Sequence, residues 1–200
     1  FNLHDQLRRR TVGDTGVLAT VSVLAVVGDA AKTVTPDRLL SLRASAAIAD
    51  ALQAFIPGGV GRFDDTYSPR AFGDNLTKWG TPVLLIETGP WPDPRPDPAL
   101  VRVNFVALVR ALSSLADSSV NRADAGRYDS LPENESFGFY YLIKNVSIRV
   151  ASGVPAYTGD VGISASRRVR TVDAKRRLFL TYSVGDLGDP GQSEDRGQAP

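Results

Sequence analysis

The chain has 200 residues and a mass of 21.4 kDa, with 42% hydrophobic and 22% charged residues. These are figures of an ordinary globular protein and they exclude wholesale disorder. Twenty-three Lys and Arg stand against 22 Asp and Glu, a balance with no electrostatic footprint for nucleic acid or an anionic membrane. With no cysteine, disulfides, thiolate metal sites and a cysteine nucleophile are excluded.

Taken in chain order, Phe1 to Asp5 reads as the tail of a strand, followed by a basic loop from Arg8 to Gly16. With no methionine and an opening on Phe1-Asn2-Leu3, the sequence reads as part of a longer product. Val17 to Val27 is an almost unbroken β-branched and aliphatic run, the pattern of a strand covered on both faces. Thr35-Pro36-Asp37 predicts a helix start, and Pro57-Gly58-Gly59 its stop. A loop rich in Asp, Gly and aromatics spans Gly61 to Asn75, and Pro82 to Gly89 reads as a short buried strand that ends on an acid. Five prolines between Pro90 and Pro98 make a stiff connection to a helix capped by Asp97-Pro98. No apolar run approaches the roughly 20 residues of a membrane span. Residues 118–135 read as a polar linker, and strands follow at Phe139–Val150, Tyr157–Ala165 and Arg177–Val184. The reading is therefore an α/β portion over 1–117, a linker over 118–135, a small all-β domain over 136–184 and a disordered tail over 185–200.

Few residues can carry chemistry. His4 is the single histidine, placed at a strand end where α/β sheets put functional groups. Asp5 and Gln6 beside it suit the role of fixing a ligating imidazole through its second nitrogen. Glu87 directly follows Val83-Leu84-Leu85-Ile86, a setting that desolvates a carboxyl, raises its pKa and suits a general base. Each also has a plain reading, as an exposed histidine or as a strand-end acid in solvent or paired with an arginine. The basic residues Arg167, Arg168, Arg170, Lys175, Arg176 and Arg177 read as a solvated hairpin, and Arg8-Arg9-Arg10 as loop solvation or part of a cleft rim.

Three segments together, Phe1-Asn2-Leu3-His4-Asp5-Gln6, Ser68 to Asn75 and Trp79 to Gly89, resemble the C-terminal part of the catalytic domain of zinc carboxypeptidase-like metallopeptidases. The resemblance covers about residues 1–117. It implies the C-terminal portion of a mixed sheet flanked by helices, and a zinc held by an upstream His-x-x-Glu pair and a later histidine, matched by His4. It implies that Glu87 is the general base, Tyr67 a substrate-facing hydroxyl, and Arg70 and Asp74 substrate-binding residues, with a peptide or peptide-like substrate. The single histidine stands in His4-Asp5-Gln6-Leu7, which is not His-x-x-Glu, so these 200 residues alone are expected to be inactive. A non-catalytic binding protein that has lost the zinc pair is the alternative. The C-terminal segment faintly resembles the small β domain that accompanies amidohydrolase barrels, which makes an amidohydrolase relative a third reading.

Overall fold

The computed structural model describes residues 1–188 except 8, 14, 16, 90–97 and 136–138, together with the side chain of residue 167 excepted. The expected proline connection and the Asp97 cap lie outside the described residues, as does the tail beyond 188. The architecture is mixed α/β, and the chain divides into two units, Phe1–Ser136 and Phe137–Pro200.

The first unit holds β1 (Asn2–Asp5), β2 (Thr11–Val12), β3 (Val21–Ala25), α1 (Pro36–Leu52), β4 (Val60–Arg62), α2 (Phe72–Lys78), β5 (Leu84–Thr88), α3 (Pro98–Ala116), α4 (Gly126–Asp129) and β6 (Asn134–Glu135). Its main sheet has the order β1-β5-β3-β4. Strand β5 runs parallel to β1 and antiparallel to β3, and β3 runs parallel to β4. The continuous apolar composition of β3 and β5 follows from burial on both faces. On one face Val21, Val23, Leu84 and Ile86 meet Leu42, Ile48 and Leu52 of α1 and Val103, Ala107 and Ala111 of α3. On the other, Leu24, Val26, Val83 and Leu85 form a second cluster with Phe63 and Leu76. Thr35 caps α1 as its sequence predicts, its Oγ1 accepting from the Arg38 N–H at 3.2 Å.

Strand β1 has a sheet neighbour on one side only among the described residues, and Phe1 and Leu3 are half exposed there. Helix α3 leaves Val101, Phe105, Val109, Leu112 and Leu115 exposed along it. Contrary to the expectation from the sequence, α3 is long and apolar enough, by length and composition, to cross a membrane. In the first unit its opposite side is buried against α1.

The segment expected as a linker, 118–135, is folded into the first unit. Ser119–Arg122 is a 3-10 turn, α4 follows, and β6 pairs with β2. The physical reason is three apolar side chains hidden in a polar run: Val120, Tyr128 and Leu131 are all buried in the main core. Tyr128, only 1% exposed, accepts a hydrogen bond from the Ala25 N–H at 3.2 Å, and burial pushes its phenol up to about 12. The loop expected over 61–75 likewise contains the end of β4 and the start of α2.

The second unit is one antiparallel sheet, β7 (Tyr141–Ile148), β8 (Tyr157–Val172) and β9 (Lys175–Gly188). Strands β8 and β9 run past their expected limits and join through a tight turn at Asp173 and Ala174, with φ of 51° and 58°. Residues 185–188, expected in the tail, belong to β9. The basic cluster lies on this ribbon, where Arg170 stacks over Phe179 at 5.6 Å.

If Tyr128 is a core residue rather than part of a linker, Tyr128→Ala costs the first unit about 3–5 kcal/mol. Tyr128→Phe costs about 1–3 kcal/mol by stranding the Ala25 N–H. Urea denaturation of both variants checks this; a linker tyrosine would leave the midpoint unchanged.

Candidate functional site

The sheet brings the two residues singled out at strand ends next to each other. In the parallel β1–β5 ladder His4 stands opposite Glu87, so both side chains leave the same face. His4 Nδ1 is 4.0 Å from Glu87 Oε1. Their surroundings differ sharply. The His4 side chain is 56% exposed because β1 is at the sheet edge, whereas that of Glu87 is 9% exposed because β5 has neighbours on both sides.

Burial pushes the Glu87 carboxyl above its ordinary range. The His4 imidazole pulls it back down, the Asp5 carboxylate adds to the rise, and the Arg10 guanidinium favours the charged form. Arg10, half-buried, is anchored by donating from Nη1 to the Asn134 carbonyl at 3.1 Å. Its run in the sequence suggested solvated loop or cleft rim, and the structure turns this member inward.

Beneath the pair lies a buried polar cluster. Ser22 is the antiparallel partner of Glu87 and is fully buried. Its Oγ donates to Gln6 Oε1 at 3.1 Å, and Asn134 Nδ2 donates to the same oxygen at 2.7 Å. Gln6 Nε2 donates to the Ala19 carbonyl at 2.5 Å. Gln6 therefore does not fix the imidazole, as its position in the sequence suggested; its amide is used up by the ends of other strands. Asn134 carried no signal in a segment that reads as linker, and Ser22 none in an apolar run. Only its place opposite Glu87 reveals it.

The other candidates are not brought to the pair. Gly73 packs against Val26 and Val83, at the start of β5, about 13 Å along the strand from Glu87 at 3.3 Å per residue. Asp74 beside it is buried at this remote end, and its Oδ1 accepts from the Ser68 N–H at 2.7 Å. That bond explains its presence structurally. Tyr67 is half-buried and Arg70 exposed in the loop ahead of α2. Neither is hydrogen-bonded or ion-paired to His4 or Glu87.

The arrangement can exchange a proton: a desolvated carboxyl lies against an imidazole open to solvent. As a metal centre it is partial. One imidazole is available, and no group of three or more ligating side chains comes together among the described residues. No known protein family, curated protein or solved structure matches the chain.

Two outcomes follow. Because the folded state holds the Glu87 proton more tightly than the unfolded chain, stability falls as pH rises through the range between the ordinary and the raised pKa, and stays lower above it. Glu87→Gln is therefore expected to melt above wild type at pH 7, with the gap closing as pH drops below the usual carboxylate range. Thermal melts from pH 3 to 8 test the sign. Separately, a Cβ at Gly89 would overlap the Ala19 carbonyl oxygen and crowd Gln6 Nε2 at 2.7 Å. Gly89→Ala is expected to cost about 3 kcal/mol in urea denaturation.

Proposed function

We propose that this chain is part of a zinc-dependent, carboxypeptidase-like hydrolase of peptide or peptide-like amide bonds, to which it contributes one metal ligand, His4, and the general base, Glu87. The observation that carries the reading is the pair itself: an imidazole and a desolvated carboxyl opposite each other at the ends of two parallel strands, 4.0 Å apart. The remaining ligands would come from outside these residues. Among the described residues β1 has no partner on its outer side, and Phe1 and Leu3 are half exposed there; a strand edge of this kind is suited to pairing with further sheet, which supports the reading.

The chemistry a bound zinc supplies is the acidification of a water molecule to near-neutral pKa, together with polarisation of the scissile carbonyl. The chain's own residues do the rest. The Glu87 carboxylate takes a proton from the attacking water and returns it to the departing amine nitrogen, which leaves as a neutral amine. Its raised pKa suits this work, because a carboxyl that holds its proton nearer neutrality accepts it readily and still gives it up. His4 holds its imidazole at the solvent-facing side of the carboxyl, where substrate arrives. Tyr67, Arg70 and Asp74, which make no bond to the pair, are given no step.

The test is the full-length, zinc-loaded protein assayed on peptide and acyl-amide substrates. Glu87→Gln is expected to lower kcat by about 10²–10⁴-fold with zinc retained, and His4→Ala to lose zinc. The 200 residues alone are expected to be inactive. Absence of hydrolysis by the wild type, with zinc content unchanged in His4→Ala, sinks the proposal in favour of a non-catalytic binding protein.

A further inference from the structure

Gln6 occupies the point where four strands of the first unit meet. Its backbone N–H donates to the Thr88 carbonyl at 2.9 Å, continuing the β1–β5 ladder one residue beyond Asp5. Its side-chain oxygen accepts from Ser22 of β3 and from Asn134 of β6, and its side-chain nitrogen donates to the Ala19 carbonyl just ahead of β3. An amide oxygen has two lone pairs, and both are taken. Gly89 completes the packing: its N–H donates to the Thr20 carbonyl at 2.8 Å, and the absence of a side chain lets Ala19 and Gln6 Nε2 come up against it. Ser22 and Asn134 are 0% and 5% exposed, so water cannot replace the amide without opening the fold.

We propose that Gln6 is the positioning residue of the His4–Glu87 pair: its side-chain amide ties the end of β1 to β3 and β6 while its backbone N–H holds β5, in the register that sets the imidazole beside the carboxyl. The ladders alone do not ensure this. Strand β1 is four residues long, at an edge and mostly exposed, and such a strand frays at its end. His4 is one residue from that end at Asp5, and Gln6, the next residue along the chain, has side-chain bonds to other strands. The amide also acts from the Glu87 side, through Ser22, which is the ladder partner of Glu87. Leucine at position 6 would fill the space but leave the Ser22 hydroxyl, the Asn134 amide and the Ala19 carbonyl buried without that partner. The catalytic meaning of the pair rests on the hydrolase reading above; its geometry does not.

The single histidine makes the geometry measurable in the 200-residue chain, because its ring protons give one unambiguous set of NMR signals. In the wild type a nuclear Overhauser cross-peak is expected between the His4 ring and the Glu87 side chain. In Gln6→Leu that cross-peak is expected to vanish while cross-peaks between Val23 and Ile86, in the middle of the β3–β5 ladder, persist. Ser22→Ala removes one bond and no bulk, and keeps the test decisive if Gln6→Leu does not fold; it is expected to weaken the same cross-peak at least twofold. In the full-length protein, Gln6→Leu is expected to weaken zinc retention, because the freed strand end carries His4, and at saturating zinc to lower kcat at least tenfold with KM little changed, the mark of a pair out of register.

A folded Gln6→Leu or Ser22→Ala chain with the cross-peak at wild-type intensity overturns the proposal, even where its melting temperature has dropped, since that outcome leaves Gln6 a purely structural role. A wild type without the cross-peak overturns it as well. Loss of the cross-peak in Gln6→Leu alongside a full-length wild type that hydrolyses nothing leaves the positioning intact and removes only the hydrolase reading.

Discussion

Strand β5 is gripped from two sides in opposite senses, and everything at the site depends on those two registers. Parallel pairing with β1 sets His4 opposite Glu87, and antiparallel pairing with β3 sets Ser22 opposite the same residue. A slip of one position on either side would turn a whole strand over and send the partner to the other face. What prevents the slip at β3 is the core: Ile86 and Val23 belong to the cluster beneath α1 and α3, Leu85 and Leu24 to the cluster on the opposite face. Apolar side chains on both faces would be exchanged by a slip, at a cost spread over every residue of the strand.

That grip also accounts for the asymmetry of the pair. The same neighbours that fix β5 remove water from Glu87, so the acid is dry because it is well placed. His4 is wet because its strand, among the described residues, has a neighbour on one side only. The pair thus sets one group in fixed, dry surroundings beside another in contact with solvent. The buried cluster of Gln6, Ser22 and Asn134 is satisfied by protein groups. It can therefore lie beside a carboxyl of raised pKa without adding an orphaned polar group to the cost.

Much of the fold could be read from the sequence where local chemistry and burial agree. Thr35 with Pro36 marks the start of α1, the run ending at Glu87 marks β5, and the apolar spacing after Pro98 marks α3. The reading failed where burial is decided by distant residues. Tyr128 and Leu131 look like isolated apolar residues in a polar linker until the core that receives them is known. Strand β4 is three residues long and too short to show a period. In the second unit the basic residues do lie on the solvated hairpin the sequence suggests, but β8 and β9 run through them past the expected strand limits, because a ribbon open to solvent tolerates charge along its length. The site divides in the same way. His4 and Glu87 stand out as polar residues at the ends of strands, but their adjacency depends on strand order, which no local signal encodes. Gln6 was noticed for the wrong partner. Asp74, picked out by its motif, lies at the far end of β5 and is spoken for by the Ser68 N–H.

The β1–β5 pairing joins residues more than eighty positions apart in the chain, with β3, α1, β4 and α2 formed in between. Closing a loop of that length is entropically late work, and contacts of such separation form after local ones in folding. The hairpin-like and helical parts of the first unit can therefore assemble while His4 and Glu87 are still strangers. The pair comes into being only when this long-range pairing has closed. Its assembly is thus a report on a late event in folding: a chain stalled before that closure carries both side chains and no site.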